Sequence, residues 1–174
     1  MTAQEAFDAA SRGGFNDLAF VLALGRKHGD YCVIGDLAVN TYVRPVFTMD
    51  ADIVIAAAKL PLIRADLAAA GFDLHEEDWS LNAQKSGSEL RIQFTKDPRY
   101  QEFPAAAVPA RVLGCEALVA SLRDLVAGKA LAWGDPKRRL SKRKKDEADL
   151  LRLAEDHPQV RPWLPVELRR QLSD

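Results

Sequence analysis

Apolar residues between Phe15 and His28 fall at Phe15, Leu18, Ala19, Val21, Leu22 and Leu24, the spacing of one helix face. His28-Gly29-Asp30 interrupts that pattern, and Tyr31 to Ile34 then reads as a short buried strand. Gly35 follows at once. Leu37 to Tyr42 predicts a helix that Arg44-Pro45 ends, because the residue before a proline is pushed out of the α region. Met49 to Ala56 predicts a second strand, β-branched and apolar except at Asp50 and Asp52. Pro61 to Ala70 predicts a helix with proline in its first turn and Gly71 just past its end. Phe72 to Glu76 predicts a short strand. Ser80 to Lys85 and Glu89 to Thr95 predict a hairpin around Lys85-Ser-Gly-Ser88. Ala107 to Leu113 is a further extended stretch, with proline marking a sheet edge.

From Glu116 the period turns helical. The pattern predicts a helix over Glu116 to Trp133, a second from about Lys137 to Asp156, and a short last one near Pro165 to Leu172. Gly134-Asp135-Pro136 separates the first two. This succession predicts an α/β (α+β) core over 1–115, a mixed sheet flanked by helices, with a helical C-terminal subregion over 116–174 packed on it as one unit. A chain of 174 residues with 48% hydrophobic content can bury such a core. The formal net charge of -1 excludes polyanion binding by bulk electrostatics. Cys32 and Cys115 are too few for a disulfide framework, and Cys32 sits in an apolar run as a small core residue. A cytoplasmic location is expected. The acidic N-terminal segment lacks the apolar stretch of a signal peptide, and no run approaches the roughly 18 apolar residues of a membrane span.

The chemistry concentrates on Asp50 and Asp52. Strand side chains alternate, so the two carboxylates share a face while Ala51 points into the core. Bare, they repel each other at about 7 Å. A magnesium ion, which takes one or two carboxylates together with substrate phosphates, relieves that repulsion. Paired acids are also the ordinary polar positions of a one-sided sheet. Here, however, Ile53, Val54 and Ile55 continue the strand as apolar on both faces, and the acids cluster at its loop end. Gly35, between strand and helix, permits close backbone approach to phosphate at a helix N-terminus.

In this order, Val33-Ile-Gly-Asp-Leu-Ala-Val39 followed by Arg44-Pro-Val-Phe-Thr-Met-Asp-Ala-Asp-Ile-Val-Ile55 resembles the nucleotidyltransferase superfamily of the DNA polymerase beta type. The likeness is to small bacterial relatives of AbiEii-type toxins and to minimal nucleotidyltransferases. Leu125 to Lys129, Arg138 and Lys145-Asp-Glu-Ala-Asp-Leu150 resemble a later helical motif of that family. The resemblance spans roughly residues 15 to 155, with only its first motif specific. It implies a nucleotidyltransferase that moves a nucleoside monophosphate from a nucleoside triphosphate to an RNA or protein acceptor, with Mg2+ or Mn2+ as cofactor. Asp50 and Asp52 are then the metal ligands and catalytic acids, Lys129 and Asp146 further catalytic residues, and Gly35, Asp36, Arg44 and Thr48 the nucleotide-binding set. A cognate toxin or antitoxin is an implied partner.

Two residues depart from the family pattern. Asp36 stands where a second glycine or a serine is usual, so it must turn away from a triphosphate or hold metal. Gln93 stands where many members carry a third metal-binding carboxylate. Asp97 and Glu102 lie just beyond, although Asp97-Pro98 reads more simply as a turn. These departures leave a second reading, a degenerate, non-catalytic binding module of a toxin–antitoxin pair.

Leu118, Leu122, Leu125 and Lys129 fall on one predicted helix face, so Lys129 either snorkels to solvent or enters the cleft as a triphosphate ligand. Asp149 is expected on a solvated face, with Lys142–Asp146 and Lys145–Asp149 as i, i+4 pairs. Seven cations lie between Lys137 and Lys145, either a solvated helix face or a surface for an RNA acceptor. His28, His75 and His157 are scattered near turns and are read neither as ligands nor as catalysts.

Overall fold

The apolar runs on either side of Gly35 become β1, Tyr31–Ile34, and β2, Asp50–Ile55, paired antiparallel in the middle of a seven-stranded sheet. The computed structural model describes residues 1–172. β3 is Phe72–Glu76, β4 Ser80–Lys85, β5 Arg91–Thr95, β6 Val108–Val112 and β7 Cys115–Val119. Their order across the sheet is β3-β4-β5-β2-β1-β7-β6. β5 runs parallel to β2 and β7 parallel to β1, while the remaining pairs are antiparallel. The mixed α/β architecture is the one the hydrophobic pattern predicts. β3, both arms of the 80–95 hairpin and the proline-bearing edge strand β6 also lie where that pattern puts them.

The helices are α1, Ala3–Ser11; α2, Gly14–His28; α3, Gly35–Tyr42; α4, Leu60–Ala69; α5, Leu122–Gly134; α6, Leu140–Asp156; and α7, Val166–Arg169. α1 has no counterpart in the hydrophobic pattern. It is set by a reciprocal cap, in which the Glu5 N–H donates to Thr2 Oγ1 (3.1 Å) and the Thr2 N–H donates to the Glu5 carboxylate (2.7 Å). α2, α4 and the sheet enclose the core, where Leu18, Leu22, Ile53, Ile63, Leu67 and Phe94 are fully buried. Ala51 is buried as its place between two acids predicts, and Cys32 lies in the same core. No described helix is long and apolar enough to cross a membrane.

One expectation fails. The helix predicted from Glu116 begins only at Leu122, where Ser121 Oγ caps it by accepting from the Asp124 N–H at 3.2 Å. Residues 115–119 form β7 instead, with Val119 beside Val33 of the central β1. Leu113 (φ 48°) and Gly114 (φ 88°) make the turn between β6 and β7, and two successive positive φ values are what a two-residue hairpin turn needs. Leu118 therefore leaves the stripe it was assigned to. Its backbone N–H donates to the Tyr31 hydroxyl at 3.1 Å. Tertiary pairing with β1 overrides the helical spacing of a short apolar run.

Candidate functional site

Asp50 and Asp52 open β2 and project from one face of the sheet. Ile34, the last residue of β1, pairs with Asp52, so the start of α3 hangs directly over that carboxylate. Gly35 makes the turn with φ 66°, and a Cβ added there would collide with Asp52 Oδ2. Only glycine brings helix and carboxylate this close. The first turn of α3 leaves backbone N–H groups free beside the acids, as every helix start does.

The two acids differ in partners. Asp50 accepts from Arg91 Nε at 2.7 Å and from Lys142 Nζ at 3.5 Å, and its N–H donates to Thr48 Oγ1 at 3.2 Å. Half-buried Asp52 receives no hydrogen bond or ion pair among the described residues. Burial, then the neighbouring Asp50 and Asp36, push the Asp52 carboxyl up to about 6, against the pull of Lys129 and Arg138. Unlike Asp36, Asp50, Asp146 and Asp149, Asp52 has no cation in contact among the described residues.

Behind it lies a buried charge cluster. Lys129 of α5 is 7% exposed, and its ammonium donates to Asp36 (2.7 Å), Asp146 (3.1 Å) and Asp149 (2.7 Å). Its three hydrogens thus serve three carboxylates, one from α3 and two from α6. Burial opposes its charge, but the three carboxylates hold its pKa above the ordinary lysine value. Arg138 completes Asp146 at 2.8 Å, and Arg152 completes Asp149 at 2.8 Å. Asp36 also takes Lys145. Burial alone would raise the Asp36 carboxyl, but Lys129 and Lys145 hold it below the usual carboxylate range. Asp36 is thus committed to Lys129 and Lys145, which neutralise its charge.

Two expectations about α6 are corrected by this cluster. Asp149 is not on a solvated face; it is 2% exposed. The i, i+4 pairs within α6 do not form, because Lys142 reaches Asp50, Lys145 reaches Asp36, and both acids turn to Lys129. A buried ammonium outcompetes surface neighbours for the same carboxylates.

Part of this arrangement borders a cavity of about 920 Å³. Gly35, Asp36, Asp50, Asp52, Lys129 and Asp146 all border it; Arg44 and Thr48 stand outside its walls. The basic run divides. Arg138, Lys142 and Lys145, spaced by four and three residues, border the cavity. Arg143 donates to the Trp133 carbonyl (2.7 Å), and Lys144 pairs with Glu147 (3.1 Å). The spacing of that trio within the run is the one local signal that could have marked it. Asp97 caps a 3-10 turn and holds Arg99 (2.6 Å), as its Asp-Pro sequence suggests. His28 pairs with Asp66, His75 with Glu77, and His157 with the Tyr42 carbonyl, each at 2.8 Å.

The residues present fit a divalent cation held by two carboxylates. Asp52 is an unpartnered, charge-strained oxygen donor beside Asp50, the hard ligand pair that magnesium takes together with phosphate oxygens. The neighbouring strand adds no third acid, since Gln93 occupies the register position beside Asp52. Among the described residues no group of three His, Cys, Asp or Glu could hold an ion by itself.

A mixed seven-stranded sheet with helical flanks, carrying an Asp-x-Asp strand beside a strand–glycine–helix turn, is the nucleotidyltransferase fold. The chain is similar at TM-score 0.56 to the lincosamide antibiotic adenylyltransferase LnuA in its lincomycin-bound form, with 13% identity over 79% of this chain and 96% of that one. It is similar at the same score to ANT(2")-Ia in complex with adenylyl-2"-tobramycin, with 15% identity over 88% and 91%. An antigenic nucleotidyltransferase-like protein from Paracoccidioides brasiliensis follows at 0.51, with 17% identity over 83% and 77%. No protein-family model matches the chain, and no curated protein sequence matches it. At such identities the likeness establishes the fold.

Two consequences are measurable. Lys129→Met removes the one cation shared by three buried carboxylates, so urea unfolding should show a loss of about 3–5 kcal/mol; a loss below about 1 kcal/mol would contradict the cluster. The Asp52 carboxyl titrates higher folded than unfolded, so its ionisation opposes folding. The penalty is absent below the unfolded value near pH 4, grows as pH rises, and is complete above about 6. Asp52→Asn should therefore raise metal-free stability by about 1–3 kcal/mol at pH 7.5 and by nothing below about pH 4. Equal melting temperatures for both proteins at pH 7.5 would refute the assignment.

Proposed function

We propose that this protein is a nucleotidyltransferase that moves a nucleoside monophosphate from a nucleoside triphosphate to an acceptor and releases pyrophosphate. The observation that carries the reading is Asp52: an unpaired, half-buried carboxylate beside Asp50, kept under the free N–H groups of α3 by a glycine that nothing larger can replace. An acid left uncompensated among so many cations is a ligand position. Asp50 and Asp52 would hold Mg2+ or Mn2+, which when bound supplies neutralisation and polarisation of phosphate oxygens.

The chain's own groups account for the rest of triphosphate recognition. Gly35 and the first turn of α3 offer backbone donors to phosphate. Arg138, Lys142 and Lys145 border the same cavity and supply cations. Lys142, 40% exposed and only 3.5 Å from Asp50, is free to exchange that carboxylate for a phosphate. Lys129 has all its donors engaged, so with Asp146 it acts as a positioning residue that sets α3 against α6. Thr48 acts indirectly, by fixing the backbone of Asp50, whereas Arg44 lies outside the cavity with its carbonyl accepting from Arg152.

A second reading is supported by Gln93 and by the two cations on Asp50: a nucleotidyltransferase fold that binds without turnover, as one half of a toxin–antitoxin pair. Isothermal titration with a non-hydrolysable triphosphate, together with a pyrophosphate-release assay, separates the two. On the enzymatic reading, triphosphate binding requires magnesium. Asp52→Asn then lowers turnover about 100-fold or more, and Lys142→Ala raises the KM for triphosphate about tenfold. Metal-dependent binding with no pyrophosphate release, whatever acceptor is supplied, would leave only the binding module. With Arg138, Lys142 and Lys145 turned to the cavity, the basic run does not present one outward surface to an RNA acceptor, which supports looking within the cavity for the acceptor.

A further inference from the structure

The cavity has two chemically different walls. The cationic one comes from the turn and first half of α6. The other is the sheet face of β3, β4 and β5. There the registers align His75 with Asn82, Asn82 with Gln93, and Gln93 with Asp52, so one polar row crosses four strands. Asp73 and Gln84 pair in the next row of the same face. All of these border the cavity, while the alternating Leu81 and Phe94 are buried away from it; Ala83 and Ile92 are also buried and meet the cavity only at its floor. Strands lie about 4.8 Å apart, which puts Gln93 and Asn82 roughly 5 and 10 Å from Asp52.

Hydration is the ordinary account of a polar sheet face. Three observations go further. The Gln93 amide is exposed and has no hydrogen-bond partner among the described residues; Asn82 Nδ2 makes one contact, to Ser80 Oγ at 3.5 Å. Trp79, between β3 and β4, leaves its indole 60% exposed at the cavity wall. And β3 and β4 bring no lysine or arginine to the cavity.

We propose that this sheet face is the acceptor subsite, and that the acceptor is an uncharged, polyhydroxylated small molecule of the glycoside or cyclitol class. The inference rests on the nucleotidyl-transfer reading. Side-chain amides both donate and accept, matching adjacent hydroxyls. An indole face covers the C–H surface of a saturated ring. A polynucleotide would find no cation on β3 or β4 to neutralise its phosphates. Gln93, where the family resemblance places a third carboxylate, positions the acceptor hydroxyl beside Asp52. The hydroxyl oxygen bonds to the α-phosphorus, the bond from that phosphorus to the oxygen bridging to the β-phosphorus breaks, pyrophosphate leaves, and the hydroxyl proton passes to water.

Saturation-transfer NMR on the full chain tests this, with magnesium, a non-hydrolysable triphosphate and a pool of myo-inositol, methyl glucoside and sucrose. In parallel, α-labelled triphosphates are incubated with the same pool and with bulk tRNA. The expected result is binding and labelling of at least one pool member and none of tRNA. A Gln93→Ala/Asn82→Ala double variant should lose at least tenfold in acceptor affinity while its triphosphate affinity stays within twofold. Triphosphate binding with no pool member bound, labelled tRNA, or an unaltered double variant each overturns the acceptor assignment and leaves nucleotidyl transfer standing. No triphosphate binding at all overturns both.

Discussion

A single buried ammonium organises the functional half of this molecule. Lys129 ties α5 to Asp36 on α3 and to Asp146 and Asp149 on α6. Burying any of these charges alone would be prohibitive, and each becomes tolerable because the others are there. The arrangement does more than hold helices together. It fixes the start of α3, hence the backbone N–H groups that face β2, and it sets the face of α6 from which Lys142 and Lys145 reach across the cleft.

The same arrangement explains why Asp52 stands apart. Around the cleft, Asp36, Asp50, Asp146 and Asp149 each have at least one cation in contact, supplied by Lys129, Lys142, Lys145, Arg91, Arg138 and Arg152. Asp52 has none and bears the repulsion of Asp50 and Asp36. A fold that pairs the four nearest acids and leaves Asp52 bare among them sacrifices stability there, a common signature of a functional position. Gly35 marks the same spot from the backbone side, since its missing side chain is what lets helix and carboxylate meet.

How much of this was legible in the sequence follows physical lines. Local signals sufficed where a segment's own periodicity and punctuation decide its structure. β1, α3, β2, α4 and the 80–95 hairpin are such segments, and Asp50, Asp52 and Gly35 come with them. They did not suffice where distant partners decide. Residues 115–119 carry helical spacing yet pair with β1, and only the turn at Leu113-Gly114 hints at it. α1 was legible in Thr2-x-x-Glu5, a cap rather than a hydrophobic stripe. Asp149 looked like a partner for Lys145 because sequence shows i, i+4 neighbours and not the lysine of another helix. The basic run showed its charge but not that every third or fourth member turns inward. The polar row from His75 to Asp52 was invisible, because register across four strands is written in no single segment.

On the nucleotidyl-transfer reading, the bare Asp52, with Asp50 beside it, is where a metal-bound triphosphate sits. A crystal structure of the protein soaked with magnesium and a non-hydrolysable nucleoside triphosphate tests it most directly. The expected result is an ion on the Asp50 and Asp52 carboxylates and phosphate oxygens, with Lys142 moved from Asp50 to the polyphosphate and the Lys129 cluster unchanged. A triphosphate bound away from β2, or one bound there with no ion on Asp52, would contradict it.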